Sequence, residues 1–393
     1  MRDLPPVTTG YAVDVPQGFV TYTGNAGIKD ASLDLCVVAS RAPCVADGVF
    51  TRSLFAGPSV ALSRRHLHDG QAQALVTVSK NANVATGRQG DADAAELAAL
   101  VAGAVGCAPT DVVIGSTGVI GRPYPMDRLR AHLATVQMSS TADFPSVARA
   151  IMTTDTVPKL ASARAGGATV IGVAKGSGMI EPDMATLLGY LFTDASVARE
   201  AMAPMFRRVV DRTFNCLSVD TDMSTSDSVV FMANGAAGPV PADELERALH
   251  AVCRSLTIQL AADGEGATKV VQVNVTFARD SAQAKRVAKA VVNSPLVKCA
   301  VHGADPNWGR VVMAVGKCWH DTDIDPEVVQ VSFGGFEVYP RLLEEGGLQE
   351  LAQLMKSGTV EIDIALGTGS AAATVWGCDL SSAYVSINAD YTT

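Results

Sequence analysis

The chain has 393 residues, of which 48% are apolar and 18% charged, and its formal net charge is −9. This composition is typical of a globular enzyme with a large buried core, and it excludes a disordered chain. Lysines and arginines form no basic run interleaved with aromatic residues, so we expect no nucleic-acid partner. No stretch of about 18 apolar residues is present, so we expect no membrane span. The first residues lack the apolar core of a signal peptide, and we therefore expect a cytoplasmic protein.

Hydrophobic periodicity predicts helices and strands along the whole chain. In chain order we expect short strands and turns in 18–60, a helix at 91–105, a glycine-rich strand and turn at 112–121, a buried strand at 169–174, helices at 197–214 and 243–260, and alternating strands at 271–275 and 360–364. Pro204 falls inside one predicted helix, near its first turn or at a kink. Helices mixed with antiparallel-looking strands indicate an α/β fold of the layered α+β kind.

Several common catalytic and metal-binding motifs are missing from the sequence. The stretch 264–269 lacks the spacing and the ending of a phosphate-binding loop, and no Gly-x-Ser-x-Gly or His-Glu-x-x-His motif occurs. The six histidines have neither ligand nor triad spacing, although His302 is the one whose surroundings best suit a functional role. The eight cysteines form no Cys-x-x-Cys pair and are expected as buried, reduced thiols, so we predict no metal and no other cofactor.

Four polar, glycine-rich stretches interrupt the apolar runs. They are Ser116-Thr117-Gly118, Thr153-Thr154-Asp155-Thr156, residues 175–186 and residues 263–269. Each one alone is typical of a turn, but loops of this kind also collect functional groups. Together they suit a catalytic site that has no histidine base. A hydroxyl nucleophile in such a site can be activated by its own α-amino group, provided that proteolysis makes it a chain terminus.

The stretch Lys175-Gly176-Ser177-Gly178-Met179-Ile180-Glu181-Pro182-Asp183-Met184-Ala185-Thr186-Leu187-Leu188 resembles the signature of the ornithine acetyltransferases, also called glutamate N-acetyltransferases. Further stretches that resemble family motifs run in order along the chain, at residues 81–87, 116–121, 151–156, 263–269, 293–298, 305–310 and 387–393. The resemblance therefore extends over nearly the whole chain.

This resemblance implies an N-terminal-nucleophile-like, self-processing fold in which mixed sheets are sandwiched with helices. It implies cleavage between Ala185 and Thr186, which gives an α chain of residues 1–185 and a β chain of residues 186–393. It also implies assembly as a dimer of α/β heterodimers.

The same resemblance implies a ping-pong reaction on small amino-acid substrates. The Thr186 hydroxyl takes the acetyl group of N-acetylornithine, releases ornithine and passes the acetyl group to glutamate. Thr117 and Gly118 match the oxyanion pair of the family. The substrate-contact positions are matched by Thr153, Lys175, Thr186, Glu265, Asn388 and Thr393. Within that set, a lysine can neutralise a substrate carboxylate and a glutamate can meet an ammonium group.

Leu187 and Leu188 depart from the arginine-pathway enzymes, which more often carry a methionine and a smaller apolar run after the nucleophile. The pair more closely resembles the residues found in paralogues from antibiotic biosynthetic clusters. The sequence also has no separate nucleotide-binding motif, so it gives no support for the use of acetyl-coenzyme A. Three alternatives stay open. They are a self-processing amidohydrolase or aminopeptidase that passes the acyl group to water, a bifunctional enzyme that also uses acetyl-coenzyme A, and a non-catalytic paralogue that binds an amino acid.

Overall fold

Residues 4–181, 187–341 and 343–390 are described in the computed structural model of the chain. Within them the larger of two sheets contains β1 (Thr8–Thr9), β2 (Phe19–Gly24), β3 (Leu35–Phe50), β4 (Gln71–Asn81), β5 (Val112–Val119), β6 (Lys159–Ala165), β7 (Ala168–Lys175), β8 (Leu188–Ser196) and β9 (Ser228–Pro239). The strand order is β1-β6-β7-β8-β9-β3-β4-β5, with β2 paired to β3. The β4–β5 and β8–β9 pairs are parallel, whereas the others are antiparallel.

The smaller sheet is formed by the C-terminal part of the chain. It contains β10 (Val270–Ala278), β11 (Gln330–Phe333), β12 (Phe336–Tyr339), β13 (Thr359–Ala365) and β14 (Ala371–Cys378). Its order is β12-β11-β13-β10-β14, and only the central β10–β13 pair of these described strands is parallel. Both sheets are therefore mixed.

Helices cover these sheets. They are α1 (Pro58–His66), α2 (Gly87–Val105), α3 (Met126–Leu133), α4 (Phe144–Ala150), α5 (Arg199–Arg212), α6 (Ala242–Ala262), α7 (Ser281–Val292), α8 (Pro295–Gly303), α9 (Gly309–Gly316), α10 (Glu345–Leu354) and α11 (Ser382–Asp390). Short polar side chains cap several of them; for example, the Asp280 carboxylate accepts a hydrogen bond from the Gln283 amide at the start of α7. None of the helices in the described ranges could cross a membrane.

One apolar core joins the two sheets through α6. The predicted stripe of this helix is buried as expected at Leu245, Leu249, Val252 and Leu256. α6 packs against β6 and β7 on one side and contacts β10 and β14 on the other. The layered α/β architecture predicted from the sequence is thus confirmed, with helices between and outside the sheets.

Two local expectations are corrected by the structure. The strands of the smaller sheet looked antiparallel, but β10 and β13 run parallel. Short strands were expected before residue 60, but β3 is a single strand of 16 residues. It reaches this length because its pairing with β4 shifts register between Ala39 and Cys44; the first half then pairs with β2 and β4 and the second half with β9.

Several strand ends meet at one end of the folded larger sheet. Lys80 near the end of β4 lies opposite Gly118 in β5. Lys175, the last residue of β7, lies opposite Leu188, the first residue of β8, and Leu188 in turn lies opposite Ser228, where β9 begins. Because β4 ends beside the start of β3 and β9 begins beside its end, folding of the sheet rather than register alone brings these segments together.

Candidate active site

A cavity of about 220 Å³ opens at this end of the larger sheet. All six described residues for which a site role was predicted line it, namely Thr117, Gly118, Thr153, Lys175, Glu265 and Asn388. Leu187 and Leu188 also line the cavity. The predicted nucleophile Thr186, the preceding Ala185 and the terminal Thr393 lie outside the described residues. The fold thus gathers into one cavity six predicted residues that come from five separate segments of the chain.

Gly118 has a backbone conformation that requires glycine. Its φ of +130° is one that L side chains rarely adopt, and a Cβ at this position would lie 2.2 Å from the carbonyl carbon of Lys80. The adjacent Thr117 is half-buried at the cavity wall. Glycine at 118 thus lets β5 pack closely against the backbone of β4, and Thr117 and Gly118 lie side by side in the cavity lining, as an oxyanion-binding pair requires.

Lys175 places a cationic group in the same wall. The residue is 9% exposed, and its Nζ donates a hydrogen bond to Thr117 Oγ1 at 3.4 Å. This length is beyond the usual range for a strong hydrogen bond. The ammonium group therefore lies near the predicted oxyanion pair, but its contact with Thr117 does not use up its hydrogen-bonding capacity.

A buried ion-pair network lies beneath Lys175. Lys159 Nζ contacts Asp155 Oδ1 at 2.6 Å and Asp263 Oδ2 at 2.5 Å, and its side chain has no exposed surface. Asp155 also accepts hydrogen bonds from the backbone amides of Thr153 at 3.0 Å and Gly176 at 2.7 Å. Burial alone would raise the pKa of Asp155, but the charges of Lys175 and Lys159 outweigh it and lower that pKa to about 2.

The cavity lining also carries an acidic group. Glu265 follows α6 in a turn, and its backbone amide donates to the Ser177 carbonyl at 2.8 Å. Its carboxylate accepts a hydrogen bond from Asn388 Nδ2 at 2.9 Å, and it lies so close to Gly178 that a Cβ there would be 2.4 Å from Oε2. The cavity lining thus contains both cationic and anionic groups.

Three charged residues in the cavity lining, Lys29, Lys80 and Asp227, were not predicted from the sequence. Lys80 has a left-handed φ of 71°, and its Nζ bonds to Asp30 Oδ1 at 2.8 Å. Asp227 is 3% exposed, and burial raises its pKa well above the ordinary value despite hydrogen bonding by Ser224 and the charge of Lys175. The polar run at residues 220–228, which interrupts apolar sequence, is the signal that could have located Asp227.

Among the described residues, no histidine and no cysteine lines the cavity. His302 Nδ1 lies 2.7 Å from Asp379 Oδ2, and neither residue lines the cavity. No cluster of three or more His, Cys, Asp or Glu side chains suited to a metal ion occurs among the described residues. The cysteines carry free thiols; most are buried as predicted, but Cys299 is exposed, which corrects that expectation.

A family model identifies the chain. The model of the ArgJ family matches residues 21–393, which is nearly the whole sequence. The chain belongs to the ArgJ family. It is therefore an acyltransferase, and the family resemblance seen in its motifs is confirmed.

Curated ArgJ relatives align over almost their full length. The Nostoc sp. arginine biosynthesis bifunctional protein ArgJ 2 is 53% identical, with 97% of this chain and 99% of the relative covered. The Streptomyces clavuligerus glutamate N-acetyltransferase Oat2 is 52% identical, with 100% of both chains covered. Among solved structures, the arginine biosynthesis bifunctional protein argJ of Bacillus halodurans is 35% identical, covers 50% of this chain and 96% of its own, and has a TM-score of 0.47.

Proposed function

We propose that this ArgJ protein cleaves itself between Ala185 and Thr186 and then transfers an acetyl group from N-acetylornithine to glutamate. The acetyl group is carried as an ester on Thr186. The observation that carries the proposal is the cavity in which Thr117, Gly118, Lys175 and Glu265 meet. Leu187, which lines that cavity, is joined to Thr186 by one peptide bond, so their Cα atoms are about 3.8 Å apart if that bond is trans.

The nucleophile is activated by the amino group that cleavage creates. An α-amino group has a reference pKa of about 7.7–8.0, so a substantial fraction is neutral near physiological pH. The neutral amine accepts the proton of the threonine hydroxyl during attack on the acetyl carbonyl. This assignment agrees with the absence of histidine from the lining of the described cavity.

Thr117 and Gly118 stabilise the negative oxygen that forms during acyl transfer. The threonine hydroxyl donates one hydrogen bond, and the backbone N–H of Gly118, which also lines the cavity, donates a second. Lys175, whose Nζ is already 3.4 Å from the Thr117 hydroxyl, adds a positive charge beside this pair. Donors aimed at a developing oxyanion in a partly dehydrated site have a large effect on the reaction rate.

The oppositely charged side chains of the cavity lining suit an amino-acid substrate. Lys175 pairs with a substrate carboxylate, and Glu265, oriented by Asn388, pairs with an ammonium group. The hydroxyl of Thr153 supplies an orienting hydrogen bond from the lining, and Thr393 is proposed as a further contact. Both N-acetylornithine and glutamate carry the α-carboxylate that this arrangement requires, so donor and acceptor use one cavity in turn.

The names of the relatives differ on whether the enzyme has one activity or two, and this difference concerns the acetyl donor. One relative at 53% identity is named a bifunctional protein, whereas another at 52% is named a glutamate N-acetyltransferase. We propose N-acetylornithine as the preferred donor, because the sequence has no nucleotide-binding motif. The alternative, a bifunctional enzyme that also uses acetyl-coenzyme A, predicts comparable kcat/KM values for the two donors.

Self-cleavage is tested by intact mass spectrometry of denatured protein. The wild type and Thr186→Ser, which keeps a hydroxyl, should each give two fragments that separate after Ala185, while Thr186→Ala should remain one chain. A wild type that never splits, or a Thr186→Ala protein that does, would refute the self-processing proposal. Native mass spectrometry of the same sample shows whether the fragments assemble as a dimer of α/β heterodimers.

The acetyl-enzyme is tested by incubating the cleaved protein with N-acetylornithine and no acceptor. One acetyl group should appear on the β chain, and peptide mapping should place it on Thr186. Adding glutamate should remove it as N-acetylglutamate faster than water does. Release to water at the same rate in the presence of glutamate would instead identify an amidohydrolase.

A further inference from the structure

Asp227 is a buried carboxyl group at the cavity that the proposed transfer reaction does not use. Among the described residues, five buried side-chain oxygens have no hydrogen-bond partner in the structure, and they include Asp227 Oδ2 and Ser226 Oγ. Both residues line the cavity. A buried acceptor without a partner is unfavourable, so two in succession at one cavity indicate a functional rather than a stabilising role.

Strand pairing places Asp227 beside the residue that follows the proposed nucleophile. Leu188 lies opposite Ser228 in the parallel β8–β9 pair, and the Ser228 amide donates to the Leu187 carbonyl at 2.9 Å. The Asp227 carbonyl is held from the other side by the Thr51 amide at 3.0 Å. The backbone that carries this carboxyl group is therefore fixed next to the first described residue after the cleavage junction.

We propose that the uncharged carboxyl group of Asp227 relays a proton during self-cleavage, from the hydroxyl of Thr186 to the nitrogen of the Ala185–Thr186 peptide bond. This inference rests on the self-cleavage proposed above. It assigns Asp227 to the processing step, whereas the freed α-amino group serves as the base in acetyl transfer.

The relay leaves the carboxyl group unchanged. The threonine Oγ forms a bond to the Ala185 carbonyl carbon while its proton passes to one carboxyl oxygen. The C–N bond then breaks, its electron pair stays on nitrogen, and the nitrogen takes the proton from the other carboxyl oxygen. The products are an ester, a free amine and an uncharged carboxyl group, and water later hydrolyses the ester. A carboxyl group can do this only in its protonated form.

The surroundings of Asp227 favour that form. Burial raises its pKa well above the ordinary value, while Ser224 and the charge of Lys175 only partly oppose this effect. The charged side chains that line the same cavity are Lys29, Lys80, Lys175 and Glu265. Of these, Lys175 is the group whose charge lowers the pKa of Asp227. A substantial uncharged fraction is therefore expected at a higher pH than for an exposed aspartate.

Asp47 offers a matched control. It lies in β3, opposite Phe231 of β9, its Oδ2 also has no hydrogen-bond partner among the described residues, and burial raises its pKa. Its carboxylate is 3.9 Å from Arg207 Nε, and it does not line the cavity. Asp47→Asn therefore reproduces the loss of a carboxyl group at the same sheet without touching the proposed relay.

The experiment follows cleavage of full-length chains made by cell-free translation, with denaturing gels sampled after synthesis is stopped. General acid–base groups contribute about 100- to 10,000-fold, so Asp227→Asn should slow cleavage at least about 100-fold, while Asp47→Asn stays within about threefold of wild type. Asp227→Glu, which keeps a carboxyl group, should cleave faster than Asp227→Asn. The melting temperature of purified Asp227→Asn should remain near that of wild type.

The pH profile supplies a second readout that a structural role would not change. In wild type the cleavage rate should fall as pH rises through the pKa of Asp227, because the active form is protonated. The Asp227→Asn rate should show no such fall. Cleavage of Asp227→Asn at the wild-type rate, or a wild-type rate that stays level or rises with pH, would overturn the relay. A wild type that does not cleave at all would refute the proposed function instead.

Discussion

Two groups of buried ionisable side chains, one beneath the cavity and one in its wall, differ in how completely they are paired. Beneath the cavity, Lys159 binds both Asp155 and Asp263 at 2.5–2.6 Å. In the cavity wall, Lys175 reaches the Thr117 hydroxyl only at 3.4 Å, and Asp227 Oδ2 has no hydrogen-bond partner among the described residues. Buried charges that are fully paired hold the backbone in place, whereas incompletely paired ones are available to substrates and reacting atoms.

This contrast predicts that substitutions in the two groups have different effects, one on stability and the other on turnover. Loss of Lys159 should strongly destabilise the protein, because two buried carboxylates lose their direct ion-pair partner. Loss of a cavity charge should leave the fold intact and reduce turnover. The following substitutions test this division from the largest expected effect to the smallest.

Lys159→Met should have the largest effect, and it should be on stability. Removing one member of a buried ion pair costs about 3–5 kcal/mol, and here two carboxylates, Asp155 and Asp263, lose their partner. Arg130→Met, which breaks an exposed pair with Glu96, should cost less than about 1 kcal/mol. Urea unfolding of both variants measures the difference. Equal destabilisation by the two substitutions would show that the buried network has no special structural role.

Thr117→Val should reduce turnover while leaving stability nearly unchanged. Removing one oxyanion donor costs about 2.7–4 kcal/mol, or about 100- to 1,000-fold in kcat, and valine keeps the shape of the side chain. Thr276→Val makes the same change at an exposed position of β10 and should leave kcat at the wild-type value. Steady-state rates of acetyl transfer and melting temperatures of both variants measure the effects on turnover and on stability. A fully active Thr117→Val enzyme would remove Thr117 from the oxyanion pair.

Lys175→Met should lower kcat/KM without a large change in melting temperature. A hydrogen bond to a charged group contributes about 1.5–3 kcal/mol, which corresponds to about 10- to 150-fold. Asp155 keeps its contact with Lys159 in this variant, so the lower network survives. Lys317→Met, at an exposed position, serves as the control. If Lys175→Met instead unfolded the protein as readily as Lys159→Met, the two groups of charges would not be separable.

Asn388→Ala should have the smallest effect of the four. Its amide orients the Glu265 carboxylate through one bond of 2.9 Å, and because solvent weakens this exposed bond, we expect a contribution of about 0.5–1.5 kcal/mol, or about 2- to 13-fold in kcat/KM. The loss should appear mainly in KM, because Glu265 is still present to bind the ammonium group. Ser386→Ala, two residues earlier on α11, should behave as wild type. An Asn388→Ala enzyme with unchanged KM would indicate that Glu265 needs no orienting partner.

The candidate site was largely predictable because its residues lie in distinctive local motifs. Glycines and short polar residues break the apolar runs around Thr117, Thr153 and Lys175, and such breaks are visible in any linear pattern. Lys80 and Asp227 could not be recognised in the same way. Lys80 follows a buried strand, and Asp227 is the last of several acidic residues in one polar run. Only their positions relative to other strands distinguish them from surface charges.

The sequence alone predicted many of the elements that form and the residues proposed to carry the chemistry. The period of the apolar residues predicts helices such as α6 and strands such as β13, because each of them buries one face. The glycine at position 118 likewise depends on local backbone geometry. These properties are local and can be read from neighbouring residues.

Only the tertiary structure decided how those elements pair and which charges are saturated. The parallel β10–β13 pair, the bend of β3 and the meeting of β7, β8 and β9 at one end of the sheet depend on contacts between residues far apart in the chain. Lys159 and Lys175 look alike in the sequence, yet one is enclosed by two carboxylates and the other faces a cavity. The strength of a charge interaction depends on burial and on distance to its partner, and both are set by the fold.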